Sequence, residues 1–267
     1  ETALEQGVFV HAVWESFYRC LEQEISSKRV TLGNLEQAQL CLNRVFDAEL
    51  ARQAQVEGVR YLPLSSTECA QANRLKQTLI DNLNVQARML PRFTPQRFEL
   101  SIEPGQAIDY AGVRLMGRVD RIDIDAEHGH YVVIDYKGGI AGHDAGFDPD
   151  EQEGFLIPSK IQTLIYAQAL RGVVESARPV GALYLSYRAN EPARSIAGSF
   201  DSSMLDVTGF ARSASGVNMN FESYLDMVEL EVGKRIADFL EGNIAPNPLC
   251  ESSCTYCPVR YCEKRLS

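Results

Sequence analysis

The chain has 267 residues, of which 45% are hydrophobic, and its formal net charge is −10. This composition is typical of a globular protein with a buried core, and it argues against a protein that simply coats nucleic acid, which would usually be basic. No run approaches the roughly 18 apolar residues that a membrane span requires, so we expect a cytoplasmic protein without a membrane partner.

The first third of the chain is expected to be helical, because apolar residues recur there at spacings of three and four. This pattern predicts helices over residues 7–25, 34–57 and 66–90. The first segment lacks the basic region of a signal peptide and starts inside the first expected helix. We therefore interpret the chain as a fragment of a longer protein.

From residue 97 the pattern changes to that of strands. Residues 97–104 are expected to form one strand, and residues 112–124 and 130–137 a hairpin around a turn that contains Gly129. Residues 138–158 are rich in Gly, Asp and Glu, which predicts a mobile loop. Because only a short turn joins the runs over 112–124 and 130–137, we expect these two to be neighbouring antiparallel strands.

The second half of the chain mixes helix and strand. The expected elements are a helix over 159–173, a buried strand over 179–188, a polar irregular stretch over 199–217 and a helix over 218–241. Ser159 and Gln162 have the spacing of a capping box at the start of the first of these helices. The whole pattern predicts an α/β fold in which helices flank a central mixed sheet, preceded by a helical layer. The expected parts are an N-terminal helical part (1–95), a core (96–245) and a cysteine-rich tail (246–267).

Two acidic residues and a lysine interrupt the apolar strands of the expected hairpin. Because residues two apart share a face of a strand, Asp135 and Lys137 point the same way. Asp120 lies on the neighbouring strand, so all three side chains can converge at one end of the hairpin. Two carboxylates at close range in a partly apolar site are costly, and Mg²⁺ or Mn²⁺ relieves that cost.

The hairpin therefore predicts a divalent-cation site of the kind that activates a water molecule for attack on a phosphate. Lys137 would orient that water or offset charge in the transition state. The alternative is a surface hairpin with a salt-bridged Asp–Lys pair. Arg118 and Arg121, on the same strand as Asp120, either reach DNA phosphates or are solvated.

Four short motifs, in this order, resemble the PD-(D/E)xK nuclease superfamily, specifically its RecB-like branch. They are "GVFVHAVWESFY", "GRVDRID", "VVIDYKGG" and "QTLIYAQAL". The resemblance implies that His11 is a metal ligand together with Asp120 and Asp135. It also implies that Lys137 is catalytic.

In the fourth motif the resemblance implies a catalytic or DNA-contacting role for Gln162 and Tyr166. These two residues are four apart and so share a helix face. Glu99, on the strand before the hairpin, occupies a place where the family often has an acidic residue. We keep it as a possible accessory residue of the site.

The resemblance implies a restriction-endonuclease-like core that hydrolyses DNA phosphodiesters with Mg²⁺ or Mn²⁺. It is nearest to the nuclease domain of AddB-type helicase–nuclease subunits, which implies DNA and a helicase domain or subunit as partners, in DNA repair and recombination. A free-standing CRISPR-associated-type exonuclease is one alternative. A structural domain that binds DNA ends without cutting them is the other.

The tail has a cysteine pattern that predicts a metal or cluster site in a reducing compartment. Four of the seven cysteines fall in the last eighteen residues, at Cys250, Cys254, Cys257 and Cys262. Cys-x-x-Cys-Pro followed by another cysteine resembles the [4Fe–4S] staple of some RecB-like nucleases, in which an upstream cysteine completes the ligand set.

This tail departs from that pattern in two ways. The gap between Cys257 and Cys262 is one residue shorter than usual, and no cysteine precedes His11. Either the upstream ligand lies in a missing segment or Cys250 supplies the fourth thiolate. A Cys₄ zinc site is the main alternative, and free thiols are the other.

Overall fold

A computed structural model describes residues 3–58, 60–140, 160–174, 177–189, 195–204, 215–217, 219–246, 254 and 257–265. The expected loop over 138–158 lies almost wholly outside this range, as do Ser159 and Cys250. No helix of the described residues is both long and apolar enough to cross a membrane.

Three helices form the first layer, as the apolar spacing predicts. They are α1 (Ala3–Ile25), α2 (Leu35–Gln53) and α3 (Ser66–Gln86). Helix α1 buries one continuous stripe that includes Trp14 and Phe17. Helix α3 begins with a capping box, in which Ser65 and Glu68 satisfy each other's backbone N–H groups.

The central sheet has six strands in the order β1-β4-β5-β6-β7-β8. These strands are β1 (Thr94–Ile102), β4 (Gly117–Asp125), β5 (His130–Lys137), β6 (Arg178–Ser186), β7 (Ile196–Asp201) and β8 (Ser215–Val217). Strands β5 and β6 run parallel, as do β7 and β8, and the other neighbours are antiparallel. The predicted mixed sheet flanked by helices is therefore confirmed.

The remaining elements complete the two faces of the sheet. A separate hairpin pairs β2 (Ile108–Tyr110) with β3 (Val113–Leu115), so the strand expected over 112–124 is in fact two strands. Helix α4 (Gln162–Ala169) crosses between the parallel strands β5 and β6, and α5 (Phe221–Leu240) packs beside it. Ile161 is the N-cap of α4 and Gln162 its first residue, so Gln162 does not hold the third helical position that a capping box requires.

The prediction of an irregular stretch over 199–217 was wrong at both of its ends. Strand β7 extends into the start of the stretch, and strand β8 forms its last three residues. The β7 run is short and contains Gly198 and Ser199, which hide the usual strand pattern. A Cβ on Gly198 would lie 2.3 Å from the carbonyl oxygen of Ala182 on β6, so the two backbones approach too closely for any side chain. The Ser199 hydroxyl is buried at 3.3 Å from the Tyr224 hydroxyl of α5.

Two apolar cores lie on opposite faces of the sheet. Helices α1, α2 and α3 pack against Val132, Ile134 and Tyr136 of β5 to form the first core. Helices α4 and α5 pack against the other face, which includes Ile122 and Val133, to form the second. The polar residues of the hairpin are therefore divided between two faces that are both covered by helices.

Candidate active site

His11, Glu99 and Asp120 form a group that we call the acidic cluster. His11 comes from α1, Glu99 from β1 and Asp120 from β4. The His11 Nδ1 atom lies 3.2 Å from Glu99 Oε1 and 3.4 Å from Asp120 Oδ1. One donor atom from each residue lies within 4.8 Å of the other two, which is the spacing of a metal-binding group. The cluster lines a cleft of about 650 Å³ that also includes Arg118.

A local change in strand β1 brings Glu99 into this cluster. Phe98 packs against the first core and Leu100 against the second, although residues two apart normally share a face. Glu99 lies between them with φ of 48°, a left-handed conformation that costs a non-glycine residue about 1 kcal/mol. The side chains of β1 therefore change faces at Glu99, and the Glu99 carboxylate lies next to His11.

Asp135 and Lys137 lie beside the cluster, on the neighbouring strand β5, and we call them the Asp–Lys pair. Lys137 Nζ is 2.6 Å from Asp135 Oδ2 and 3.3 Å from Gln162 Oε1 of helix α4, to which it donates a hydrogen bond. The buried Oδ2 atom therefore forms a close ion pair with Lys137. The Tyr136 N–H between them donates to Asp120 Oδ2 at 2.9 Å.

The charges of the site shift two pKa values upward. Burial would lower the pKa of His11, but the hydrogen bonds and charges of Asp120 and Glu99 outweigh burial and raise it to about 10. Burial and the charge of Asp120 raise the pKa of Asp135 to about 6, against the opposing effect of Lys137. Without a bound cation, a proton on His11 therefore offsets the carboxylates around it.

Tyr166 is buried in the second core and closes one edge of the site. A Cβ on Gly117 would lie 2.5 Å from the Tyr166 hydroxyl, so the glycine of "GRVD" leaves space for this ring. A recess of about 380 Å³ lies next to it, lined on its apolar part by Leu115, Ile165 and Tyr184. Lys137 lines the same recess, with its ammonium 5.8 Å from the centre of the Tyr184 ring.

The two arginines of β4 have different environments. Arg118 is 64% exposed, and its guanidinium lies 3.5 Å from Glu99 Oε2 at the edge of the cleft. Arg121 is 3% exposed and pairs with Asp123, so the expectation that it is solvated or reaches DNA was wrong. Residue 121 lies on the face that the N-terminal helices cover, which buries its side chain.

The three tail cysteines that the structure describes do not lie close enough together to hold a single metal ion. Cys254 is buried and Cys257 and Cys262 are partly exposed. Among the described residues, the groups with suitably close ligand atoms are the acidic cluster and Cys20 with Glu24 and Cys41, and neither includes the tail. The predicted fourth tail ligand, Cys250, lies outside the described residues.

Sequence reasoning brought His11, Asp120, Asp135 and Lys137 together, and the structure places all four at one edge of the sheet. It gave Glu99 only an accessory place, whereas Glu99 is as close to His11 as Asp120 is. The Tyr136 backbone contact had no signal in the sequence, because any residue type can donate it. The assignment of these residues as ligands and catalytic groups remains a prediction.

One family model matches residues 1–262, and it describes the PD-(D/E)XK nuclease superfamily. The chain belongs to the PD-(D/E)XK nuclease superfamily. A search of curated proteins found no significant match. Membership makes the chain a phosphodiester-hydrolysing nuclease of a family that uses divalent metals such as Mg²⁺, which agrees with the geometry of the cluster.

The residues present fit such a metal. One imidazole and two carboxylates offer the nitrogen and oxygen donors that suit Mn²⁺ and Mg²⁺, and they lie around a cleft that solvent reaches. A bound divalent cation would polarise the phosphate and lower the pKa of a bound water. His11, Glu99 and Asp120 would hold it, and it would replace the proton on His11. Lys137 is placed by Asp135 and Gln162 to orient a water or to stabilise charge on a phosphate oxygen.

Proposed function

We propose that this chain is a Mg²⁺- or Mn²⁺-dependent deoxyribonuclease that cuts single-stranded or unwound DNA. The observation that carries this proposal is the acidic cluster, in which three elements distant in sequence bring a histidine and two carboxylates together beside the Asp–Lys pair. Cation binding and phosphate activation both require such a set at close range. A surface salt bridge on a hairpin would need none of His11, Glu99 or Gln162.

The participation of helix α1 supports an origin in the RecB-like branch. His11 is the only histidine of the cluster, and it joins the site because α1 packs across the sheet edge near β1 and β4. A nuclease domain of an AddB-type helicase–nuclease has this arrangement according to the sequence resemblance. The partner that such a domain requires is a helicase domain or subunit that delivers an unwound strand, in DNA repair and recombination.

The recess beside Lys137 supports a single strand as the substrate. Its apolar wall and the Tyr184 ring offer a surface on which an unstacked base can pack, next to the lysine that faces the phosphate. Bases in a duplex are stacked on their neighbours and do not offer a free face. A single-stranded or unwound strand therefore matches this surface better than a duplex does.

The test compares cleavage of labelled single-stranded DNA, duplex DNA and RNA of the same sequence, in Mg²⁺, in Mn²⁺ and in a chelator. We expect metal-dependent cleavage that is fastest on single-stranded DNA. Asp120→Asn, which keeps the shape of the side chain, is expected to reduce cleavage by orders of magnitude, whereas Asp109→Asn, at an exposed carboxylate outside the cluster, leaves it unchanged. Absence of cleavage of every polynucleotide in either metal would overturn the proposal, and preference for RNA would overturn its substrate.

For the tail we propose a thiolate-bound [4Fe–4S] cluster, supported by the spacing of its four cysteines. Anaerobically purified protein is expected to be brown, with about four iron and four sulfide per chain. Cys257→Ser is expected to bleach it, whereas Cys69→Ser, at an exposed cysteine of α3, has no effect. One zinc and no iron per chain would show that the tail holds zinc instead of a cluster. Protein with neither metal would show that the tail cysteines are free thiols.

A further inference from the structure

A buried polar network lies beneath helix α1, next to the acidic cluster. Its members, which we call the arginine network, are Arg121, Asp123, Tyr18, Gln86 and Tyr136. Arg121 Nε and NH2 donate to the two Asp123 oxygens at 2.6 and 2.7 Å. Arg121 NH1 donates to Tyr18, Gln86 and Tyr136 oxygens at 2.9, 2.8 and 3.1 Å. Arg121 is 3% exposed and Asp123 1%.

The network joins three elements that supply residues of the candidate site, namely α1, β4 and β5. Tyr18 lies on α1, seven residues after His11, and helical residues seven apart share a face. Tyr136 lies on β5 between the residues of the Asp–Lys pair. Arg121 follows Asp120 directly on β4, and its guanidinium reaches residues of α1, α3 and β5. One guanidinium therefore ties α1 to both strands of the hairpin.

Tyr136 links the network to the acidic cluster. Its hydroxyl accepts from Arg121, and its backbone N–H donates to Asp120 Oδ2 at 2.9 Å. Its ring lies edge-on to the His11 ring, with centres 5.9 Å apart, and stacks on Trp14 at 5.7 Å. A shift of Tyr136 would thus displace both its hydrogen bond to Asp120 and its ring contact with His11, which are two expected metal ligands.

We propose that Arg121 and Asp123 are positioning residues for the metal site, acting through Tyr136 and Tyr18. Metal affinity requires ligands held within about 0.5 Å of the productive geometry, by partners that are themselves fixed. His11 and Asp120 come from different elements, so their separation depends on how α1 sits on the sheet. The arginine network sets that separation. This inference rests on the proposed function, since it assigns residues to the same site.

The same strand offers a matched control. Asp125 is also buried on β4, two residues after Asp123 and on the same face, and it pairs with Arg92 at 2.7 Å. Its other partner is His128 in the hairpin turn, at the end of β4 away from the cluster. Asp123→Asn and Asp125→Asn thus remove the same charge from the same strand, and only the position differs.

The experiment measures Mn²⁺ binding to the full chain by calorimetry, without substrate, together with the melting temperature. Both variants are expected to melt at a lower temperature than the wild type. Asp123→Asn is expected to weaken Mn²⁺ binding on the order of tenfold, as supporting partners of metal ligands commonly do. Asp125→Asn is expected to bind Mn²⁺ as the wild type does. Tyr136→Phe, which removes one hydroxyl only, is expected to weaken binding by a smaller factor and serves if Asp123→Asn does not fold.

The outcomes separate this inference from the proposed function. If the wild type binds Mn²⁺ and Asp123→Asn binds it equally well, the positioning role is wrong while the proposed function stands. If both aspartate variants lose affinity by the same factor, the effect is one of general stability and the positioning role is wrong again. If the wild type itself binds no Mn²⁺, the proposed function fails, and this inference fails with it.

Discussion

The arginine network and the candidate site are two polar regions of the β4–β5 hairpin that differ in their access to solvent. In the arginine network, which we call the buried face, both Asp123 oxygens accept hydrogen bonds, and each nitrogen of the Arg121 guanidinium donates at least one. In the candidate site, which we call the open face, Asp135 Oδ2 pairs with a partly exposed Lys137, and without a bound cation a proton on His11 offsets the two carboxylates beside it. A satisfied group resists change, whereas an unsatisfied group has capacity left for a ligand.

Residues with a structural role and residues with a predicted chemical role therefore lie within a few positions of each other on one strand. Asp120 and Arg121 are neighbours, yet the first faces a cleft and the second a closed core. Buried polar groups that are fully paired stabilise one arrangement, and those that are not are the usual location of ligand binding. We therefore expect substitutions on the two faces to change different measured quantities.

The largest effect is expected on the stability of the buried face. Arg121→Leu leaves Asp123 buried without its partner, and removing one member of a buried pair costs about 3–5 kcal/mol in the free energy of unfolding. Unfolding in urea measures it. Replacing Asp123 by Val as well removes the uncompensated charge, so the double variant is expected to be more stable than the single one. Equal stability of the single and double variants would show that the Arg121–Asp123 ion pair does not account for the stabilisation that the network provides.

On the open face the main expected effect is on the cleavage rate. Lys137→Ala is expected to lower the cleavage rate on the order of 10²–10³-fold, because it removes a preorganised positive charge next to the phosphate. Its urea midpoint is expected to fall less than that of Arg121→Leu, since Lys137 is partly exposed whereas Arg121 is buried. Lys234→Ala, at an exposed ion pair on α5, is the control and should leave the rate unchanged. A wild-type rate for Lys137→Ala would remove this residue from the site.

The sequence predicted the open face better than the buried one, for a physical reason. Ionisable residues two apart on a strand, such as Asp135 and Lys137, show their shared face directly. The burial of Arg121 depends on which helices cover the opposite face, and the strand pattern does not contain that information. The place of Glu99 depends on a left-handed residue in the middle of β1, which reverses the alternation that sequence reasoning assumes.

The elements of the fold also differ in how well the sequence predicts them. Helices α1 to α3 and the strands around Asp120 and Asp135 follow their apolar spacing within a few residues. Strand β7 does not, because Gly198 and Ser199 fit there through a close backbone approach and a contact with α5. Local pattern predicts an element that packs by its own apolar stripe, and it fails where a neighbouring element decides which residues fit.

A pH experiment sharpens the comparison, because only the open face is expected to exchange a proton on metal binding. His11 has a pKa of about 10 in the metal-free protein, so near neutral pH the metal must displace its proton. Apparent Mg²⁺ affinity is therefore expected to rise about tenfold per pH unit between pH 7 and 8.5, as measured by calorimetry. His11→Gln is expected to flatten this slope, and an affinity independent of pH in the wild type would contradict the displacement.

The same proton affects the stability of the metal-free protein, with the opposite sign. The pKa of His11 is raised on folding from 6.5 to about 10, so the folded state holds a proton that the unfolded state releases. This contribution to stability is fully present below about pH 6.5 and is lost as the pH rises towards 10. A melting temperature that falls over this interval in the wild type, and less in His11→Gln, is the expected result.

The smallest expected effect concerns the edge of the open face, where Arg118 and Glu99 form an exposed ion pair. If Arg118 contacts a phosphate of single-stranded DNA, Arg118→Gln should reduce the slope of log affinity against log salt by about 0.7. Arg114 is the matched control, because it is 60% exposed and pairs with Asp109 on the separate β2–β3 hairpin. Fluorescence anisotropy in metal-free buffer over a salt series measures both variants. Because the chain has a net charge of −10, binding should be weak and salt-dependent throughout. Equal slopes for the two variants would show that the strand does not pass this edge of the cleft.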